Sequence, residues 1–171
     1  MFEELKYVQI NRDDEKQLKL LLSMWIPYMR EVNKDDKEMQ EDGDDDLEKF
    51  AMQRVNIQGN RNDMHFEMCF DGDELIGFAL FAVDLGGIKG ILEGGYGYIM
   101  EYYIRKESRR KGYATKLFIH IVDVFLKHGS EKIYLTPDSI AGVPFWNEMG
   151  FTDSGKIDPD NKMPILIKGI A

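Results

Sequence analysis

Cysteine is almost absent: Cys69 is the one cysteine in 171 residues. No internal disulfide can form, so the core holds without a covalent staple, and the cytoplasm is the natural compartment. Cys69 lies in the apolar stretch FEMCF and reads as a buried, inert thiol. Histidine is nearly as scarce. His65 falls on an expected strand, while His120 and His128 stand eight residues apart on an expected helix; this is not a metal-ligand spacing, and no metal is expected. No apolar run is long enough to span a membrane, and the opening MFEELKYVQI does not read as a signal peptide. Basic residues are outnumbered 22 to 31, which sets the net charge at -9. General nucleic-acid binding, which wants a basic face, is therefore not expected either.

What is present is a globular composition, with 43% hydrophobic and 12% aromatic residues. The length fits one domain, 1–171, with a real core. The charge is unevenly placed. Asp35 to Glu48 holds nine acids and one lysine, a net of -8, whereas Arg105 to Lys116 holds six cations and one acid, a net of +5. A local reversal this strong in an acidic chain reads either as an anion site or as a solvated basic loop.

Hydrophobic periodicity gives the elements. Leu5 to Ile10 reads as a first strand. Asp13 or Asp14 can cap a helix in which Leu18, Leu21, Leu22, Trp25, Met29 and Val32 recur at three- and four-residue steps, with a kink or break expected at Pro27. The acid-rich stretch follows with Gly43 as a hinge, then a helix over Leu47 to Ile57. Two β-prone runs flank DGDE and predict a hairpin. The segment DLGGIKGILEGGYG lacks the Lys-Ser/Thr ending of a nucleotide-binding P-loop and reads as a loop. Tyr98 to Ile104 is a strand. A long helix starts near Gly112 and stops at Gly129. KIYLTP, a short helix over DSIAGVPFWNEM, and a last strand in KMPILIKGI complete the chain, with Pro164 suggesting an edge or a bulge. The strand-helix-strand crossover predicts one parallel pair after an antiparallel meander.

A strand that ends in a basic, glycine-containing turn and enters a helix suits a phosphate. The first N–H groups of a helix have no internal partner, and the helix dipole favours an anion there. Gly112 admits close approach, Arg109, Arg110 and Lys111 add charge, and Thr115 adds a hydroxyl. These residues also carry a resemblance. YYIRKESRRKGYATKLF resembles the Q/R-x-x-G-x-G/A signature of the GNAT superfamily of N-acetyltransferases, with Arg109, Gly112 and Ala114 at its specified positions. VPFWNEMGF, Val143 to Phe151, resembles the family's second conserved segment, in the right order and at a suitable separation. The first third of the chain matches in element order alone.

The resemblance implies an α/β (α+β) fold: a central mixed, mostly antiparallel sheet of six to seven strands, splayed between the fourth and fifth and flanked by about four helices. It implies acetyl-CoA as co-substrate and an amine as acceptor, the amine attacking the thioester directly. Tyr103 and Ile104 would pair through their backbone with the pantetheine arm, and Arg109, Arg110, Lys111, Gly112, Tyr113, Ala114 and Thr115 would hold the pyrophosphate. Glu101 is the first candidate for the base, Glu93 a weaker one. Many relatives have a proton-donating tyrosine where this chain has Trp146, whose indole can donate a hydrogen bond but does not ionise in this range; packing is the alternative role. Tyr103 and Tyr134 are other sources of a phenol. In the family the first two helices border the acceptor, so Trp25, Tyr28 and Met29 are candidates for its wall, and the acid-rich connection suggests a cationic small molecule or peptide amine. A homodimer is common among such proteins, although no residue here demonstrates one. A non-catalytic acyl-CoA sensor is the alternative to an enzyme.

Overall fold

The computed structural model describes residues 4–86 and 92–171. In chain order the elements are β1 (Lys6–Gln9), α1 (Glu15–Val32), α2 (Lys37–Glu41), α3 (Asp44–Gln58), β2 (Met64–Asp71), β3 (Glu74–Asp84), β4 (Tyr96–Ile104), α4 (Tyr113–Lys127), β5 (Lys132–Leu135), α5 (Val143–Glu148), β6 (Thr152–Ile157) and β7 (Pro164–Gly169), with single 3-10 turns at Lys106–Ser108 and Ile140–Gly142. The strands form one mixed sheet in the order β1-β2-β3-β4-β5-β7-β6. β4 and β5 are parallel, as the crossover through α4 requires, and their register is Gly97↔Ile133 and Tyr98↔Tyr134. β4 then runs on to Ile104, past the recorded pairing. Among the described residues no helix is long and apolar enough to cross a membrane.

Two compact units are distinguished: Met1–Leu80 with Tyr102–Ala114, and Phe81–Glu101 with Thr115–Ala171. The first is built on aromatic packing. Trp25 and Tyr28 of α1 lie 5.4 Å apart and meet the Phe78 ring at 5.6 and 5.1 Å. The Trp25 indole N–H donates to the Leu47 carbonyl at 2.9 Å, tying α1 to α3. Buried Gln58 donates to the Ile10 carbonyl and accepts from the Phe66 N–H, so a polar side chain closes the backbone of two neighbouring segments. Asp14 is the N-cap of α1, accepting from Gln17 N–H at 3.1 Å.

Four local expectations change here. α1 passes through Pro27 without a break. Proline removes one N–H bond, but Leu21, Met24 and Trp25 before it and Tyr28 and Met29 after it are all buried and hold both halves in place. The acid-rich stretch contains a short helix, α2, capped by Asp36. α3 begins at Asp44 rather than Leu47, with Asp44, Asp45 and Asp46 in its first turn, where the helix dipole favours them. Gly43 is the N-cap of that helix rather than a hinge.

In the second unit Phe125 of α4 packs on Phe81 of β3 at 5.3 Å, and Tyr98 stacks on Tyr134 at 4.5 Å with 5° between the rings. Gly129 has φ +84 and ends α4, with Ser130 N–H reaching back to the Phe125 carbonyl at 3.0 Å. The short helix over DSIAGVPFWNEM is split: a 3-10 turn precedes α5, which has Pro144 in its first turn, where a missing N–H costs nothing. β6 was not anticipated. Its residues are almost all exposed, so no apolar alternation marks it. It takes the edge, and β7 is an inner strand with Pro164 at its first position.

The glycines at close approaches give a stability test. A Cβ on Gly77 would run into the Tyr103 carbonyl, and one on Gly97 would lie 2.7 Å from the Phe125 ring. Overpacking costs roughly 1–3 kcal/mol, and each kcal/mol moves the midpoint of a domain this size by about 2–4 °C. Gly77→Ala and Gly97→Ala are each expected to lower Tm by about 4–10 °C in thermal unfolding followed by circular dichroism. Gly169→Ala, with open space around it, is the control and should stay within about 1 °C.

Candidate active site

The exit of β4 is built from side chains that fasten a basic turn. Arg105 N–H donates to the Ile76 carbonyl at 2.9 Å; its guanidinium donates to Ser108 Oγ at 2.7 Å and pairs with Glu74. Ser108 is buried. The Tyr102 hydroxyl donates to the Ala114 carbonyl, and the Tyr113 hydroxyl to Asp71. The hydrogen bond to Asp71 pushes the Tyr113 phenol up from its ordinary value. Arg110 has φ +64 and Gly112 φ +83. Nothing lies within 4 Å of a Cβ at Gly112, so glycine is there for its backbone conformation rather than for space.

The cations of the turn fall into two groups. Arg109 is held by protein groups, although its side chain remains 39% exposed. Its guanidinium meets Glu31 at 2.8 and 3.2 Å, donates from Nε to the Ile104 carbonyl at 2.8 Å, and lies 5.4 Å from the centre of the Tyr103 ring. The Tyr103 hydroxyl donates to the same carboxylate at 2.9 Å. Burial pushes the Glu31 pKa up, but the hydrogen bonds from Arg109 and Tyr103 and the charges of Arg109 and Lys106 outweigh it, and the net shift is down. The Tyr103 phenol is pushed up to about 12, first by burial and then by Glu31. Arg110 and Lys111 are exposed and extend from the turn as cations.

Tyr103, Ile104, Arg109, Arg110, Lys111, Gly112, Tyr113 and Ala114 thus share one unit, whereas Glu101, Thr115 and Trp146 belong to the other. Trp25, Tyr28 and Met29 are buried in the first unit at 0%, 2% and 7% exposure. They belong to the core of that unit, and none of them lines the groove that α1 borders. A different face of α1 is open instead. Leu20, Met24, Pro27, Glu31 and Lys34 line a groove of about 750 Å³ together with Leu75, Tyr103 and Lys106. Sequence reasoning missed both this groove and Glu31, since nothing in the spacing joins residue 31 to residue 109.

In the second unit Glu101 is half-buried, and its carboxyl is pushed up to about 8, first by desolvation and then by the charge of Asp138. Glu93 is exposed; the glycine-rich loop beside it includes residues 87–91, which lie outside the described residues. Trp146 is 9% exposed and packs edge-on against Phe118, Phe145 and Phe151 at 6.4, 4.9 and 5.4 Å, an aromatic cluster that accounts for the side chain by packing. The Tyr134 hydroxyl donates to Asp84, and its pKa is raised by burial and by that carboxylate. Cys69 is fully buried and its thiol is pushed up to about 12 by desolvation, so it is inert as expected. Among the described residues no cluster of three or more His, Cys, Asp or Glu could hold a metal ion.

The family model of the acetyltransferase (GNAT) family matches residues 25–151. The chain belongs to this family. A search of curated proteins gives no match. Among solved structures, the chain is similar to the PaiA N-acetyltransferase of Thermoplasma acidophilum in complex with coenzyme A, at 14% identity and TM-score 0.72 over 98% of this chain and 99% of that one. AAC(6')-Ib in complex with ribostamycin and coenzyme A is similar at 19% identity and TM-score 0.73, over 98% and 94%. An acetyltransferase from Thermus thermophilus is similar at 13% identity and TM-score 0.70, over 98% and 97%. The GNAT fold expected from the two sequence motifs is therefore the fold observed, with seven strands and five α-helices among the described residues.

The raised Glu101 pKa has a measurable consequence. In the folded state the carboxyl holds its proton up to about pH 8, while in the unfolded chain it releases it near its ordinary value of 4.5. The folded state therefore binds more protons across this window, and stability falls as pH rises through it. Glu101→Gln removes the effect. Its Tm should match wild type near pH 4, exceed it increasingly from pH 5 to 8, and hold a constant excess above that. A pH-independent difference would show that Glu101 titrates normally.

Proposed function

We propose that the chain transfers the acetyl group of acetyl-CoA to a primary amine. The observation that carries this reading is the β4-to-α4 turn: it has the family signature, left-handed backbone at Arg110 and Gly112, and exposed cations at Arg110 and Lys111. The donor set fits a polyanion. Backbone N–H groups at the start of α4 and two unscreened cations suit the phosphates of coenzyme A, and the local net of +5 attracts them to an acidic chain.

The reaction forms a C–N bond at the thioester carbonyl and breaks the C–S bond. The amine attacks in its neutral form and loses one proton as the bond forms; the departing thiolate takes up one proton. Glu101 is the group assigned to receive the amine's proton. With its carboxyl pushed up to about 8, Glu101 accepts a proton only in its ionised form, a minority near neutral pH that grows as pH rises through 8. That form is a stronger base than an ordinary glutamate, and a pKa near the operating pH is the useful compromise for general-base catalysis. Trp146 supports its aromatic cluster and leaves the thiolate to be protonated by solvent. Tyr103 and Tyr134 already donate to Glu31 and Asp84, which ties up both phenolic protons.

For the acceptor, we infer a primary amine on a cationic small molecule or a peptide. Asp45 and Asp46 support this reading. Both are exposed in the first turn of α3, Asp46 with Lys49 at 3.9 Å, while Asp36 is used as a cap and Asp44 pairs with Arg30 at 3.1 Å.

Two measurements test the reading. CoA should raise the Tm of the protein, since selective binding to the native state stabilises it, and Arg110→Gln with Lys111→Gln should weaken CoA binding by roughly tenfold, because charge-assisted contacts to phosphate are lost. No shift at millimolar CoA would remove the premise. CoA-thiol release measured against a panel of amines then separates an enzyme from a sensor: binding without turnover on any amine favours the sensor. For the acceptor, Asp45→Asn with Asp46→Asn should raise KM for the best cationic amine by about threefold at low salt, as expected for exposed charges. An unchanged KM would exclude the acidic turn from acceptor recognition.

A further inference from the structure

We propose that Glu31 is a positioning residue for the CoA-binding turn, holding Arg109 as an internal brace instead of a phosphate ligand. The proposal rests on the reading that this turn binds coenzyme A. It deepens that reading by dividing the cations of the turn into one that shapes it and two that meet the ligand.

The geometry carries the argument. Guanidinium groups bind in fixed, planar directions. Both terminal nitrogens of Arg109 are directed at Glu31, at 2.8 Å for Nη1 and 3.2 Å for Nη2, and the third direction, Nε, is filled by the Ile104 carbonyl at 2.8 Å. One face of the group is covered by the Tyr103 ring at 5.4 Å. The Glu31 carboxylate is in turn oriented by the Tyr103 hydroxyl at 2.9 Å. A side chain engaged in this way commits three of its five N–H groups and has little freedom to turn toward a ligand. What it does have is leverage on the backbone. It connects the end of β4, through the Ile104 carbonyl, with its own Cα, immediately before Arg110 enters the left-handed region at φ +64. A non-glycine residue in that region is held against its preference, and a fixed Arg109 supplies the restraint on its N-terminal side. Glu31 sits on α1, far from the turn in sequence, and lines the groove beside it.

The experiment compares CoA binding by titration calorimetry, together with KM and kcat for the best amine, in wild type, Glu31→Gln and Arg109→Lys. The glutamine keeps the shape and removes the charge. Glu31 is only about one-third exposed, with side-chain exposure of 33%, so the ligand-free Tm is recorded for each variant.

Glu31→Gln is expected to raise the Kd and KM for CoA by roughly five- to tenfold while kcat at saturating CoA changes less than about twofold, since a residue that only shapes the binding turn affects uniform binding. Arg109→Lys should lose a similar factor, because lysine cannot bridge a carboxylate and a carbonyl while stacking on a ring. The double variant should be no worse than either single one. A tighter Kd in Glu31→Gln would mean that Glu31 withholds a phosphate ligand, and would overturn the proposal. An unchanged Kd, or full affinity in Arg109→Lys, would overturn it as well. If Glu31→Gln does not fold, Tyr103→Phe removes one of the carboxylate's three donors and should raise the Kd by about two- to threefold; no change would count against the brace. Absence of CoA binding by the wild-type protein is a different result, and it removes the functional reading itself.

Discussion

Six cations within Arg105 to Lys116 repel one another, and the turn that carries them can persist only if part of that charge is neutralised from within. Like charges this close in sequence cost energy unless acids are brought to them. The first unit brings two acids. Glu74, at the start of β3, takes Arg105, and Glu31, near the end of α1, takes Arg109. Glu74 is 61% exposed and Arg109 39% exposed, so solvent screens both pairs and each contributes modestly. Their effect is to sort the cations by task. Arg105 and Arg109 become internal fixtures, while Arg110 and Lys111 keep an unneutralised field that can attract an anion to a protein with a net charge of -9.

The same arrangement shows what the sequence could and could not express. The turn itself was legible, because its demand is local: a β-prone strand, a glycine that adopts φ +83 and a helix with an apolar stripe are all encoded within a few residues. The parallel pair was legible from the crossover that produces it. Glu31 was not, since a salt bridge across 78 positions leaves no periodic trace. The same holds for β6: an edge strand of exposed polar residues is selected by the inner strand it pairs with, not by its own hydrophobicity. Pro27 illustrates the converse case. A correct local rule predicted a kink or a break, and the helix runs on through Pro27 with five buried neighbours on α1 beside it. Trp25, Tyr28 and Met29 are buried in the core, as apolar residues at helical spacing commonly are.

Glu101 and Trp146 divide the chemical question between them. In many relatives of this family a tyrosine provides the second proton-transfer group, and here the equivalent side chain belongs to a cluster of four aromatics. Burial and the charge of Asp138 lift the Glu101 carboxyl to about 8. A group tuned by desolvation depends on how dry its surroundings are, so its pKa will respond to any substitution that opens the unit to water around it.

The sheet has blunt ends. β1 contributes only four residues at one edge, Lys6–Gln9, and Lys6 lies over the Phe70 ring of the neighbouring strand at 5.2 Å. β6 forms the other edge with polar residues and an irregular register between Asp153 and Ile157. Short, charged or irregular edges discourage a second chain from continuing the ladder. Growth of the sheet by an added strand is thereby disfavoured, which leaves its two rims as terminations of the ladder.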